Sequence, residues 1–311
     1  MPPRHTEEEQ AAFARALLSI AEQGALSQEE VDTLSVLDGA DLARFTAVWA
    51  ALPAGARARL IRVLHGAAET RLRLDFNALN HLALEDADPQ VRLAGVQSAI
   101  EDRSPALLKK LLELVSTDES VDVRFAAAED LARFTLLGEL EDLAPDVTQD
   151  LKQRLLRVVR DENQAHRVRG SALAALGYFS DADSARELAT GFSDPILRLG
   201  AVRAMGRTAD PRWTDRLMPV LGSDDPQLRL EAARALGELE DERAATPLVE
   251  LLEDPEPDVQ LAVIQALGQI GGEDAREALL FLAEASDDQL REAADKALEE
   301  IEAAETDPMD L

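Results

Sequence analysis

A phrase of thirteen residues recurs along the chain and constrains its fold more than any other feature. It reads DPILRLGAVRAMG at residues 194–206 and DPQLRLEAARALG at residues 225–237, with Arg at the fifth position. The same position in the related phrases is held by Arg92, Arg124, Arg169, Arg198, Arg229, Gln260 and Arg291. These marker residues are 32, 45, 29, 31, 31 and 31 residues apart, and the longest interval contains an insertion at residues 136–150. A period near 31 residues is typical of stacked supersecondary units.

Each phrase predicts the second helix of a two-helix unit. The Asp side chain can accept hydrogen bonds from the first free N–H groups, and Pro fits the first helical position. Apolar residues recur one before each marker and three, four and seven after it, which is one helical face. A glycine lies eight residues after four of the markers and predicts a left-handed helix end; these are Gly177, Gly206, Gly237 and Gly268. The sequence therefore predicts an all-α fold, an α–α superhelix whose second helices (the B helices) line the concave side.

The phrase resembles the bacterial HEAT-repeat consensus Asp-Pro-x-Val-Arg-x-x-Ala-Val-x-Ala-Leu-Gly, in the subtype named after phycocyanobilin lyases. The resemblance covers residues 70–303 and implies a HEAT-repeat solenoid, but it implies no particular activity. It also implies a polar ladder in which the marker arginines pair with the Asp residues of the phrases, here Asp88, Asp194 and Asp225. Ser120, Ala165 and Gln260 interrupt this ladder, which predicts looser junctions at those repeats.

The two ends of the chain lack the phrase. Residues 1–69 contain three helical patterns, and we expect them to form a helical N-terminal cap on the solenoid. Trp49 shares a helical face with Phe45 and Leu52, which predicts that it belongs to the core of this cap. Residues 304–311 are predicted to form an acidic C-terminal tail.

The charge of the chain argues against two classes of partner. The 61 acidic and 32 basic residues give a formal net charge of −29. Such a surface repels phosphate backbones and anionic lipids, so we expect neither a nucleic-acid nor a membrane partner. The chain has no cysteine, its N-terminus lacks the basic start of a secretory signal, and its longest uncharged stretch is too short to span a membrane. These features predict a cytoplasmic protein.

Residues for catalysis, metal binding or cofactor binding are not evident in the sequence. His5, His65, His81 and His166 lack the paired His-Glu motifs with which deoxyhypusine hydroxylases hold iron. There is also no Gly-rich phosphate loop and no Gly-x-Ser-x-Gly elbow. We therefore expect no metal, no cofactor and no catalytic residues. A lyase-like enzyme or enzyme subunit of the bilin-lyase type, acting with a partner chain, stays the alternative.

The exposed side of the B helices is the predicted partner-binding surface. Positions one, five and nine after each marker share a face, and in the middle repeats they carry aromatic and Arg side chains that run against the acidic charge of the chain. Tyr and Arg dominate the energetics of interfaces. The predicted contact residues are Phe125, Arg133, Tyr178, Arg203, Arg207 and Arg234. The partner is expected to be a protein or peptide of acidic character, and a monomer is the favoured state of the chain; the arginines can equally serve only to balance neighbouring glutamates.

Overall fold

A computed structural model describes residues 7–22, 24–71, 73–284 and 287–306. These residues form helices joined by short loops, and none of them lies in a β-strand, which confirms the all-α prediction. The chain divides into two compact units, residues 1–134 and residues 135–311.

The first unit begins with three helices and continues with helix pairs. Its helices are α1 (Glu7–Ala21), α2 (Gln28–Thr33), α3 (Gly39–Ala51), α4 (Ala54–Thr70), α5 (Asn77–Leu84), α6 (Pro89–Ser98), α7 (Pro105–Thr117) and α8 (Val121–Glu139), the last of which continues past the unit boundary. Trp49 is only 4% exposed, and its ring lies 5.9 Å from that of Phe45. The predicted core position of Trp49 is therefore confirmed.

The second unit is built from helix pairs. Its helices are α9 (Pro145–Arg160), α10 (His166–Ala175), α11 (Ala182–Ser193), α12 (Arg198–Arg207), α13 (Thr214–Leu217), α14 (Pro226–Glu238), α15 (Ala245–Glu250), α16 (Pro257–Ile270), α17 (Gly272–Ala283) and α18 (Asp288–Thr306). Short 3₁₀ segments follow α10 and flank α13 and α15. The B helices α10, α12, α14, α16 and α18 each pack on the next, so they form one continuous layer within this unit. The tail predicted for residues 304–311 falls largely outside the described residues.

The Asp-Pro pairs act at the helix starts as their chemistry requires. The Asp88 carboxylate accepts from the Gln90 N–H at 2.8 Å at the start of α6, and Asp225 accepts from Gln227 at 2.9 Å at the start of α14. Asp194 accepts from the Ile196 N–H at 2.9 Å in the turn that precedes α12. Each carboxylate satisfies a backbone donor that has no partner within its helix.

The glycines eight residues after the markers do not end helices in the left-handed conformation, so that prediction was wrong. Gly206, Gly237 and Gly268 lie inside α12, α14 and α16, and none has a positive φ. Each instead faces the next B helix so closely that a Cβ would clash. The Cβ would lie 2.7 Å from Ala204 Cα at Gly177, 2.6 Å from Ala235 Cα at Gly206, 2.8 Å from Ala266 Cα at Gly237 and 2.8 Å from Ala297 Cβ at Gly268. Glycine is therefore required for the close approach of neighbouring B helices.

The left-handed residues lie three positions after these glycines. Ala209, Glu240 and Gly271 have φ values of 48°, 50° and 66°. Only one of the three is a glycine, although an L side chain in this conformation costs about 1–2 kcal/mol. The turns after α12 and α14 therefore adopt the left-handed conformation without a glycine, whereas Gly271 supplies one after α16.

The polar ladder uses different carboxylates from those expected. Arg92 binds both oxygens of Asp118, with Nε–Oδ2 at 2.7 Å and Nη2–Oδ1 at 2.9 Å. Arg229 binds both oxygens of Asp254 in the same way, at 2.6 and 3.0 Å. These aspartates precede the next marker by six residues rather than four. The two pairs join the repeats containing Ser120 and Gln260 to the repeats before them, so the prediction of looser junctions at those positions was wrong.

The same junction also occurs in the segment that lacks the repeated phrase. Arg57 on α4 donates from Nη2 to Asp86 Oδ1 at 2.8 Å, and Asp86 lies six residues before the marker Arg92. Helix α4 packs on α6 as one B helix packs on the next. The junction pattern of the repeats therefore begins within the segment predicted to be a cap. The predicted boundary at residue 69 stays a prediction.

Candidate partner-binding face

The six predicted contact residues are divided between the two units. Phe125 and Arg133 lie eight residues apart on α8 in the first unit. Tyr178, Arg203, Arg207 and Arg234 lie in the second unit, on or directly after the B helices α10, α12 and α14. We call the last four, together with Glu231 and Glu238 of α14, the B-helix cluster.

Glu231 is a buried member of the cluster that the sequence did not reveal. It is only 5% exposed, and its Oε1 accepts from Arg203 Nη2 at 2.6 Å and from Gln227 Nε2 at 3.3 Å. Arg234 Nη1 lies 3.7 Å from the same oxygen. A buried carboxylate requires such partners because its desolvation is costly. Arg203 thus forms the polar contact between α12 and α14 and is not a free cation on the surface.

The sequence contained one weak signal for this pairing. Glu231 lies four residues after Gln227 and three before Arg234, so the three side chains share one side of α14. Glu231 lies two residues after the marker Arg229, outside the face formed by positions one, five and nine. The burial of this position depends on the neighbouring helix α12, which one helical pattern does not identify.

Arg207 makes the second contact across the B helices. Its guanidinium carbon lies 5.4 Å from the centroid of the Tyr178 ring, within the range of a cation–π interaction. Desolvation raises the pKa of the Glu238 carboxyl, and the charge of Glu231 adds to the increase, while Arg207 and Arg234 oppose it. Glu238 Oε2 lies over Gly206, where a Cβ would come within 2.7 Å of it. The absence of a side chain at Gly206 thus leaves room for this carboxylate.

Arg234 is the cation of the cluster that is most accessible to a partner. Its side chain is 53% exposed, compared with 29% for Arg203, and its distance to Glu231 is too long for a hydrogen bond. The three guanidinium groups of the cluster exceed its two carboxylates by one charge. In a chain of net charge −29, the cluster therefore carries a net positive charge, and Arg234 is its most exposed cation.

Arg133 is committed to contacts within the first unit. It binds Asp130 through Nε–Oδ1 at 2.7 Å and Nη2–Oδ2 at 2.9 Å. It also donates to the carbonyl oxygens of Asp102 at 2.5 Å and Ala99 at 3.1 Å. All three of its nitrogens donate inside the unit, so a partner would have to compete for them. Phe125 is partly exposed on the same helix. The role of both in partner binding stays a prediction.

The described histidines and carboxylates show no arrangement for binding a metal ion. Within residues 7–22, 24–71, 73–284 and 287–306, no group of three or more His, Asp or Glu side chains is placed to hold a metal ion. His81 Nε2 lies 2.7 Å from Asp102 Oδ2, which gives this histidine a structural partner. His5 lies outside the described residues. In that same part of the chain, no helix is long and apolar enough to cross a membrane.

The family comparison identifies repeats in the second unit. Residues 187–259 and 214–299 match the model for HEAT repeats. These residues contain the markers Arg198, Arg229, Gln260 and Arg291, where the interval is most regular. No curated protein matches the chain in sequence.

Solved structures show the same fold over more of the chain. The complex of CpcE and CpcF of phycocyanin lyase from Nostoc sp. PCC7120 contains a chain with 15% identity and a TM-score of 0.50, covering 72% of this chain and 94% of that one. A chain in the structure of Kap95p with RanGDP has 13% identity and a TM-score of 0.51, covering 97% of this chain and 48% of that one. At these identities the likeness establishes the fold alone. The chain is an all-α repeat solenoid, and residues 187–299 carry HEAT repeats.

Proposed function

We propose that this chain is a non-enzymatic scaffold or adaptor that binds a protein or peptide on the concave face of its B helices. The observation that supports this proposal most directly is the B-helix cluster. Arg207 lies over the Tyr178 ring and Arg234 presents an exposed cation on α14, in a layer of helices that otherwise pack closely. Extended concave surfaces are the surfaces that solenoids offer to partners.

The chemistry of the cluster favours a partner that carries carboxylates. Arg234 Nη1 lies 3.7 Å from Glu231 Oε1, which is too far for a hydrogen bond. The guanidinium can therefore form two hydrogen bonds with the carboxylate of a partner. Glu231 and Glu238 would repel a carboxylate placed next to them. An acidic partner is therefore restricted in how it aligns along the B helices. Phe125 and Arg133 of the first unit are also proposed to contact a partner.

The solved neighbours use this fold in complexes between proteins. CpcE is found with CpcF, and Kap95p is found with RanGDP. We infer that this chain also binds a protein. We further propose that its repeats belong to the phycocyanobilin-lyase-type subtype and that the protein is bacterial. The absence of cysteine fits a cytoplasmic location.

The test reverses two charges of the cluster. The immobilised chain captures its partner from an extract of the source cell, and the captured protein is quantified for the parent and for the variant with Arg207→Glu and Arg234→Glu. We expect the variant to lose the partner, and we expect rising salt to weaken the parent complex, because exposed charges are screened beyond about 10 Å at 0.1 M. Arg203 is left unchanged, because a carboxylate at this position would repel the buried Glu231 and disrupt the contact between α12 and α14.

Arg186→Glu is the matched control. Arg186 lies on α11, its side chain is 72% exposed, and it forms a single ion pair three residues away, with Asp183. This control should capture as much partner as the parent. Equal loss from the control and the double variant would contradict the proposed face. A captured complex that carries the absorption of a tetrapyrrole would instead support the lyase-like alternative.

A further inference from the structure

A cleft in the first unit combines an apolar lining with one exposed cation. It has a volume of about 370 Å³ and lies between the end of α1, the segment 24–26, the end of α3 and one side of α4. Its walls include Ile20, Leu26, Leu52, Leu60 and Val63. Arg59 is the single charged residue of the lining.

Arg59 has no partner within the described part of the chain. No hydrogen bond, ion pair or aromatic contact joins it to a described residue, and its side chain is exposed. The neighbouring arginines of α4 differ, because Arg57 binds Asp86 and Arg62 Nε donates to the Ala58 carbonyl at 3.3 Å. Its guanidinium is therefore available to pair with an anion from solution.

The cleft is open to solvent on its apolar side as well. Val63, one turn after Arg59 on α4, is 47% exposed, whereas Ile20, Leu52 and Leu60 are 5%, 6% and 8% exposed. The floor is therefore part of the hydrophobic core, and the rim carries one apolar and one cationic side chain. Such a site offers apolar burial for a hydrocarbon chain and a charge at its mouth for an acid group.

We propose that this cleft binds an amphipathic carboxylate, an alkyl chain that ends in a single carboxylate. The apolar walls would cover the chain, and the Arg59 guanidinium would pair with the carboxylate. An apolar cavity of about 150 Å³ accommodates benzene, so a cleft of this volume accommodates a chain of about ten carbons. The site shares no residue with the B-helix cluster, so the two proposals stand or fall separately.

The direct test measures decanoate binding to the full-length protein by calorimetry below the micelle concentration. The charge of the chain opposes unspecific binding of an anion, so saturable binding reports a specific site. We expect decanoate to bind more tightly than uncharged 1-decanol. Arg59→Gln removes the positive charge but keeps a polar side chain, and it should weaken decanoate binding about tenfold, while 1-decanol binding stays unchanged.

Two further variants keep the test decisive. Arg62→Gln removes an exposed cation from the same helix but outside the cleft, and it should bind decanoate as the parent does. Ala56→Leu fills the lining and should weaken decanoate and 1-decanol together, with circular dichroism confirming that it folds. Absence of saturable binding, equal binding of both ligands to the parent, or equal loss from Arg59→Gln and Arg62→Gln would overturn the proposal. A dimer of the ligand-free protein that Val63→Glu dissociates would also overturn it, because a second copy would then occupy the cleft.

Discussion

The contact between Gly200 and Gly170 allows a prediction in which two identical substitutions have opposite effects. Gly200 lies on α12 and faces the backbone of Gly170 on α10. A Cβ on Gly200 would lie 2.2 Å from the Gly170 carbonyl oxygen and 2.8 Å from both its carbonyl carbon and its Cα. Apart from its chain neighbours and the nearby backbone of α10, a Cβ on Gly170 would meet no atom within 4 Å. A side chain is therefore excluded at Gly200 but tolerated at Gly170.

The magnitude follows from the overlap. The atoms that a Cβ on Gly200 would contact belong to the backbone, so they cannot move away by a change of rotamer. Helices α10 and α12 would have to separate by about 1 Å to relieve the 2.2 Å contact. Overpacking of this kind costs about 1–3 kcal/mol, and a gap of this size weakens the remaining contacts between the helices. Ala has a higher helix propensity than Gly, which offsets about 1 kcal/mol of this cost. We expect Gly200→Ala to lower the free energy of unfolding by about 2 kcal/mol and Gly170→Ala to raise it by about 0.5–1 kcal/mol.

The assay is urea unfolding followed by tryptophan fluorescence in a Trp49→Phe background. Trp213 is then the remaining tryptophan, and it is 6% exposed in the second unit, so its transition reports on the unit that contains both glycines. Repeat arrays need not unfold in two states, so the midpoint of this transition is compared between variants. A Gly200→Ala variant as stable as the parent, or an equal loss from Gly170→Ala, would refute the proposed packing of α10 against α12.

Three further stability predictions concern the same unit. Ala209→Gly should raise the free energy of unfolding by about 1 kcal/mol, as measured by the same urea midpoint, because it relieves a left-handed residue with φ of 48°. Ala201→Glu should lower it by more than about 2 kcal/mol, because this residue is 0% exposed and the new carboxylate would be buried without a partner; an unchanged midpoint would show that the register of α12 is wrong. Asp254→Asn should lower it by about 3 kcal/mol at pH 7, since it removes the charge that faces Arg229. The hydrogen bond from Arg229 lowers the pKa of Asp254 below 3.8. The stabilisation by this pair is therefore complete above pH 3.8 and is lost as the pH falls through the lowered pKa. If the stability difference between parent and variant does not shrink in acid, this ion pair is not its source.

The sequence by itself determined the repeating architecture. The markers from Arg169 to Arg291 give a period near 31 residues, and the Asp-Pro pairs place the helix starts of α6 and α14 correctly. These features are local, because a capping carboxylate binds an N–H group two residues away and an apolar face is defined within one helix. The same local signals led to the error at Gly206, since a glycine near a helix end is more often a cap than a packing contact.

The tertiary structure decided which residues meet across repeats. Asp118 and Asp254 accept the marker arginines, Glu231 neutralises Arg203, and Arg57 extends the junction into a segment without the phrase. The paired residues are 25 to 29 positions apart in the chain, and several other carboxylates lie at similar separations. The distance and the burial that select one carboxylate exist only after neighbouring helices have packed. In the second unit, that packing depends on the closest approach of their backbones at the glycines.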